Sequence, residues 1–189
     1  MYAIRKAEPA DAGRLLEIYD YYVKNTAITF EYDTPDLDEL KKRIMNIMER
    51  YPYLVILRDG KIEGYAYAGA FKGRKAYDWS CEVSIYLNHN AQKNGMGRTL
   101  YEALEEALKN MGVVNLYACI AYPDGADEYL TTNSADFHAH LGYKKIGEFQ
   151  KCGYKFHRWY HMIWMEKIIG NHENDMKEIC DYSKLVDKV

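Results

Sequence analysis

Apolar positions recur along this chain with two periods, and the change of period divides it into helices and strands. Leu15, Leu16, Ile18, Tyr19 and Tyr22 fall at helical spacing. They predict an amphipathic helix opening at Pro9-Ala10-Asp11, because proline and an acidic group both suit a first turn. Leu37, Leu40, Ile44 and Ile47 mark a second helix running to about Arg50, with Thr34 as cap and Pro35 as first residue. Ala3 to Lys6 reads as a first strand, and Asn25 to Glu31 as a loop. Tyr53 to Leu57 and Ile62 to Ala70 are apolar runs separated by Arg58-Asp59-Gly60-Lys61. Asp-Gly there predicts a hairpin, since both central residues of a tight turn need positive φ.

A strand from about Asp78 to Leu87 leads to a turn with two glycines. Leu100, Leu104, Ala107, Leu108 and Met111 then give a helix one apolar face. Val113 to Ala121 is apolar almost throughout, as a central strand is. Tyr122 to Thr132 is a polar loop, and Ser134 to Leu141 a short helix closed by Gly142. Lys144 to Gln150 and Trp159 to Ile168 are two last strands around the loop Cys152-Gly153-Tyr154. Residues 1–169 make one domain and 170–189 an appendage. Met176, Ile179, Cys180 and Val186 fit one face of a helix there. The spacing leaves open whether it packs on the domain, packs on a second subunit or lies loose.

Composition narrows the class. The chain has 189 residues and a net charge of -3, with no large basic cluster, which argues against nucleic acid as main partner. No apolar run is long enough to span a bilayer. The N-terminus reads as a strand and not a signal peptide. Cys81, Cys119, Cys152 and Cys180 are scattered, which suits reduced thiols in a cytoplasmic protein. His157 and His161 are too far apart along a strand to share one ion, so no metal is expected.

The chemistry gathers at Glu82-Val83-Ser84-Ile85-Tyr86-Leu87 and the turn Gln92-Lys93-Asn94-Gly95-Met96-Gly97-Arg98. A glycine turn before a helix exposes N–H groups and the positive end of the helix dipole, which suits a phosphate. A tight turn with no ligand is the plainer reading. The Rossmann fingerprint fails because its third glycine would be Leu100, and the P-loop fails for want of Gly-Lys-Ser/Thr.

The pattern Gln-x-x-Gly-x-Gly resembles the pyrophosphate-binding motif of the GNAT acyltransferases. Further local matches resemble the phosphinothricin acetyltransferase-like branch. They are Tyr22-Val23-x-Asn25 with Ile28-Thr29-Phe30-Glu31, and Lys72-x-Arg74-x-x-Tyr77-Asp78-Trp79 leading to Glu82. To these are added Ser134-x-x-Phe137-His138-x-x-Leu141-Gly142-Tyr143 and Gly153-Tyr154-Lys155-Phe156-x-Arg158-Trp159. The resemblance covers roughly Tyr2 to Lys167.

It implies an α/β GNAT fold, a mixed central sheet flanked by helices. It implies acetyl-CoA held by Ser84, Ile85, Tyr86, Leu87, residues Gln92 to Arg98 and Asn133. It makes Glu82 the general base, where a strand-end carboxylate in a salt bridge is the alternative. It makes His138 a proton-transfer group, where a histidine holding a backbone carbonyl is the alternative. Lys72, Arg74 and Tyr77, with Phe30, would hold an anionic amino-acid acceptor, since arginine pairs bidentately with carboxylate or phosphinate. The activity expected is N-acetylation of a compound such as phosphinothricin, methionine sulfoximine or methionine sulfone, by a homodimer. The competing readings are a GNAT enzyme for another amine and a non-catalytic coenzyme A or amino-acid sensor. One departure stands out: Pro123-Asp124 and the insertion Gly125 to Thr132 replace a shorter link, so either Asn133 or Asp124 stands in for the family asparagine.

Overall fold

The computed structural model describes residues 2–91 and 95–185. Seven strands form one sheet: β1 (Tyr2–Lys6), β2 (Tyr53–Arg58), β3 (Lys61–Ala70), β4 (Ser80–Leu87), β5 (Asn115–Tyr122), β6 (Lys144–Lys155) and β7 (Arg158–Ile168). Their spatial order is β1-β2-β3-β4-β5-β7-β6. Only the central β4–β5 pair is parallel, and the other pairs are antiparallel. Four helices complete the fold: α1 (Ala12–Asn25), α2 (Leu37–Met48), α3 (Met96–Met111) and α4 (Asn133–His140). The order of elements is the one the periodicity predicts.

Pairing fixes which side chains share a face. Tyr53, Tyr67 and Ser84 are cross-strand neighbours, as are Val55, Tyr65 and Tyr86. The Tyr53, Val55 and Tyr65 side of this face packs against Leu15 and Ile18 of α1 and Leu40 and Ile44 of α2. The opposite face, with Leu54, Ala66 and Val83, packs against Leu100, Leu104 and Leu108 of α3. Glu82 and Ser84 therefore lie on the α1/α2 side, because successive strand residues alternate.

Several boundaries differ from expectation. The cap of α2 is Asp36, whose carboxylate accepts from the Glu39 N–H at 2.8 Å. Thr34 instead donates to Asp20 at 2.6 Å. The segment Cys152-Gly153-Tyr154 is no loop: β6 runs through it with a bulge at Lys151, where φ is 49°. The hairpin turn sits at Phe156 and His157, with φ of 51° and 60°. That backbone favours glycine. Here Phe156 stacks on Tyr129, centroids 4.2 Å apart, which supports the turn from outside.

The tail forms no α-helix among the described residues. Its one regular element is a 3-10 turn, Tyr182–Lys184. Val186, which the expected helix face included, lies outside the described residues. The tail crosses the C-terminal end of α3: Cys180 N–H donates to the Met111 carbonyl and Tyr182 N–H to that of Arg50, both at 2.9 Å, and Tyr182 is buried. Backbone bonds to the end of α3 and to Arg50 after α2 take the place of intrahelical ones.

Candidate active site

β4 and β5 pair at only three positions, Ser80 with Asn115, Cys81 with Leu116 and Glu82 with Tyr117. Beyond them the strands part and leave a slot lined by Val83 to Tyr86, Ala118 to Ala121, Ile28, Ser134 and His138. Backbone groups alternate in direction along a strand, so some N–H groups of Val83–Tyr86 face a side with no ladder. The Leu87 carbonyl at the far end of β4 accepts from the Tyr22 hydroxyl at 2.6 Å, which anchors this wall.

Glu82 stands where the strands separate. It is half-buried, and while its backbone pairs with β3 and β5, its carboxylate has no hydrogen-bond partner among the described residues. Desolvation raises its pKa above the ordinary glutamate value, with Lys72 working the other way. Cys119 lines the slot as well. Although the residue is exposed, desolvation from one side and then the Glu82 charge push its thiol up.

His138 lies on α4, buried at 4% exposure. Its Nδ1 is 2.7 Å from the Ser134 carbonyl, which can only accept, so Nδ1 carries the proton. Nε2 then accepts from the buried Tyr101 hydroxyl at 2.9 Å. Burial lowers the imidazole pKa against the opposing Ser134 bond. Tyr101 carries no signal in the sequence that marks it as the partner of His138.

A second space opens on the other side of β4's end, a cleft of about 480 Å³ lined by Leu87, Gly95, Gly97, Arg98, Asn133 and Phe137, among others. Gly95 precedes α3 with φ of 85°, open space stands where a Cβ would be, and no side chain caps the helix among the described residues. The bare helix start and the roomy cleft fit a pyrophosphate with a long apolar arm. Gln92, Lys93 and Asn94 lie outside the described residues. Of the two stand-ins for the family asparagine, Asn133 lines the cleft, whereas Asp124 sits 3.5 Å from Lys151 and 3.4 Å from His161. Among the described residues no three His, Cys, Asp or Glu are grouped to hold a metal.

Lys72, Arg74 and Tyr77 occupy an exposed loop before β4. Lys72 Nζ lies 5.0 Å from the Phe71 ring centroid and 5.9 Å from that of Trp164. Tyr77 meets Phe71 edge-on at 5.9 Å. Neither Lys72 nor Arg74 has an acidic partner within salt-bridge distance among the described residues, whereas Lys75 pairs with Glu178. Phe30 packs beside Ala27, Ala121, Leu130 and Tyr160, and a Cβ at Gly153 would overlap its ring. From this loop it is Ile28 that lines the slot.

The loop is held by a residue that sequence reasoning left without a role. Lys155 is buried, and its Nζ donates to the carbonyls of Val23, Thr26 and Thr29 at 2.7, 2.9 and 2.8 Å. The 124–132 insertion adds a further tie, since Ala27 N–H donates to the Tyr129 carbonyl. Arg158 fastens the insertion through Asp127 and Glu128 at 2.7 and 2.6 Å.

Comparison with known proteins agrees with this geometry. The family described as Acetyltransferase (GNAT) domain matches residues 4–164. The phosphinothricin N-acetyltransferase of Streptomyces viridochromogenes is 32% identical over 83% of this chain and 82% of its own length. The L-methionine sulfoximine/L-methionine sulfone acetyltransferase of Salmonella typhimurium is 28% identical over 89% and 95%. The crystal structure of a phosphinothricin acetyltransferase from Sinorhizobium meliloti in complex with AcCoA superimposes with a TM-score of 0.84, at 30% identity, covering 96% of this chain and 98% of that one. The family match across residues 4–164 and the 32% identity to the Streptomyces enzyme over most of both chains show that this chain belongs to the GNAT acetyltransferase family.

Proposed function

We propose that this protein transfers the acetyl group of acetyl-CoA to the amine of a small amino-acid-like acceptor, of the phosphinothricin, methionine sulfoximine or methionine sulfone type. The observation that carries the reading is Glu82: a desolvated carboxylate with no hydrogen bond spent, at the point where β4 leaves β5. The named activities of the relatives support the acceptor class.

Bound in the cleft, acetyl-CoA supplies the activated acyl carbon: a nitrogen–carbon bond forms, the thioester carbon–sulfur bond breaks and coenzyme A leaves as the thiol, its sulfur taking the second proton that the attacking nitrogen gives up. Glu82 takes the proton that the acceptor ammonium must lose, and its raised pKa brings it nearer to that of its partner. The unladdered N–H groups of β4 face charge developing on the acyl oxygen, in a slot where a fixed donor is worth more than water. Lys72 and Arg74 hold the acceptor carboxylate at the mouth. His138, neutral and bonded on both sides, positions α4 against Tyr101.

A thiol-release assay with acetyl-CoA and a panel of amines tests the reading. Methionine sulfone and sulfoximine should release coenzyme A. Polyamines should not, because Lys72 and Arg74 repel them. Turnover of a polyamine with none of the sulfone would reject the acceptor class.

The same proposal makes the enzyme a cytoplasmic homodimer. Its support is four free cysteines and the exposed Ile146, Phe149, Tyr154 and Trp159 on the edge hairpin β6–β7. Among the described residues no helix is long and apolar enough to cross a membrane. Light scattering at micromolar concentration should give twice the chain mass, and a monomer mass would reject the dimer.

A further inference from the structure

Between α1, α2 and the sheet lies a cavity of about 280 Å³ that the reaction as described does not use. Its walls include Tyr19, Tyr53, Tyr65, Tyr67, Tyr86 and Leu40. An apolar cavity of about 150 Å³ already takes a benzene ring. This one is roomier, and aromatic rings form most of its surface.

The cavity adjoins the chemistry. Tyr86 lines both it and the slot. Tyr67 is the cross-strand neighbour of Ser84, two residues from Glu82 on the same face. Burial raises the Tyr67 phenol's pKa, Ser84 works against that rise and the Glu82 charge adds to it. A molecule whose amine sits at Glu82 thus has Lys72 and Arg74 on one side and the tyrosine walls on the other.

The walls also state what they accept. Burial holds the Tyr53, Tyr65 and Tyr86 phenols well above their ordinary pKa, so they are neutral. Arg43 borders the cavity, but its guanidinium is shared between Glu31 at 2.6 Å and Glu39 at 2.5 Å. Among the described residues the lining itself carries no carboxylate and its one cation is engaged, so it calls for no anionic side chain. Neighbouring rings cross at 84° for Tyr19 and Tyr86 and run near-parallel, at 11°, for Tyr53 and Tyr67. They present edges and faces, which aromatic rings prefer as partners.

We propose that this cavity receives the acceptor's side chain, and that the preferred acceptor is an α-amino acid carrying a neutral aromatic ring. The proposal rests on the acetyltransferase reading above, keeps its small amino-acid-like acceptor and departs from it in the acceptor's side chain. A methyl sulfone tail would leave most of the space unfilled.

The test compares kcat/KM for L-phenylalanine, L-tyrosine and L-tryptophan with that for L-methionine sulfone, at saturating acetyl-CoA. The best aromatic acceptor should lead by at least about tenfold, the low end of what a hydrophobic pocket discriminates. Leu40→Trp, which fills the cavity from α2, should cut the aromatic-to-sulfone ratio by a similar factor. Ile47→Phe serves the same purpose if Leu40→Trp fails to give a cooperative melt. Sulfone turnover with aromatics no better, or an unchanged ratio in a folded filled variant, would overturn the cavity proposal and leave the acetyltransferase reading standing. If no acceptor releases thiol and acetyl-CoA causes no thermal shift, the acetyltransferase reading falls. Calorimetric titration of L-phenylalanine then decides the cavity: binding that Leu40→Trp removes supports it, and no binding overturns it.

Discussion

Two ionisable groups, Glu82 at the end of the slot and His138 on its α4 wall, stand under the same pressure with opposite outcomes. On the β4 wall, burial pushes the Glu82 carboxyl up, and the group has no hydrogen bond among the described residues. On the α4 wall, burial pushes His138 down, and both of its ring nitrogens are engaged. Desolvation drives both toward the neutral form. Glu82 has its bonding capacity in reserve, so it can take a proton without breaking anything. His138 can exchange a proton only by giving up the Ser134 carbonyl or the Tyr101 hydroxyl. The contrast separates a group kept ready for chemistry from one used up in construction.

The sharpest way to break this contrast is to alter the free group. Glu82→Gln keeps the shape and removes the base, so kcat should fall by roughly two to four orders of magnitude. The rise in melting temperature with acetyl-CoA should survive, because the cleft lies on the other side of β4. Near-wild-type turnover in this variant would transfer the base to another group.

Gly95→Asp probes the cleft in isolation. A side chain at φ of 85° and a negative charge beside the pyrophosphate should abolish the acetyl-CoA thermal shift, worth about 2.7 kcal/mol at a hundred times the dissociation constant. A full shift in this variant would place the phosphates elsewhere.

His138→Phe should cost stability more than rate. It strands the buried Tyr101 hydroxyl, at about 1–3 kcal/mol by urea titration, while kcat falls less than about tenfold. A loss of kcat equal to that of Glu82→Gln would make the imidazole a proton-transfer partner and erase the contrast.

Two pH profiles sharpen it further. The Glu82 pKa is raised, so its protonated, inactive form persists to higher pH, and the acid limb of kcat should lie above the usual glutamate range. An acceptor with a less basic amine should leave that limb in place, and a limb that follows the amine would belong to the substrate. His138 has the opposite sign. Its folded pKa lies below the unfolded value of about 6.5, so its stabilising share is intact above that pH and fades as pH falls through the lowered folded value. His138→Phe should flatten this part of the stability profile.

Much of the molecule was legible from neighbours in sequence. The Asp59-Gly60 turn, with φ of 51° and 77°, is one case, because two residues carry the whole instruction. The hairpin at Phe156 and His157 is the converse, since its left-handed turn is supported by Tyr129 from a distant loop and carries no glycine to announce it. The tail misled for a similar reason: helical spacing at Met176, Ile179 and Cys180 says nothing of backbone donors that find partners on Met111 and Arg50. Lys155 was visible as part of a motif, yet the carbonyls it holds lie more than a hundred residues away along the chain.

Periodicity, turn residues and the glycine-led helix start were settled by the sequence itself, because each depends on contacts within a few residues. The parting of β4 from β5, the occupation of both His138 nitrogens, the reserve of Glu82 and the space lined by five tyrosines were decided only by tertiary structure. Each depends on which distant groups come within a few ångströms, and on how much water that approach removes.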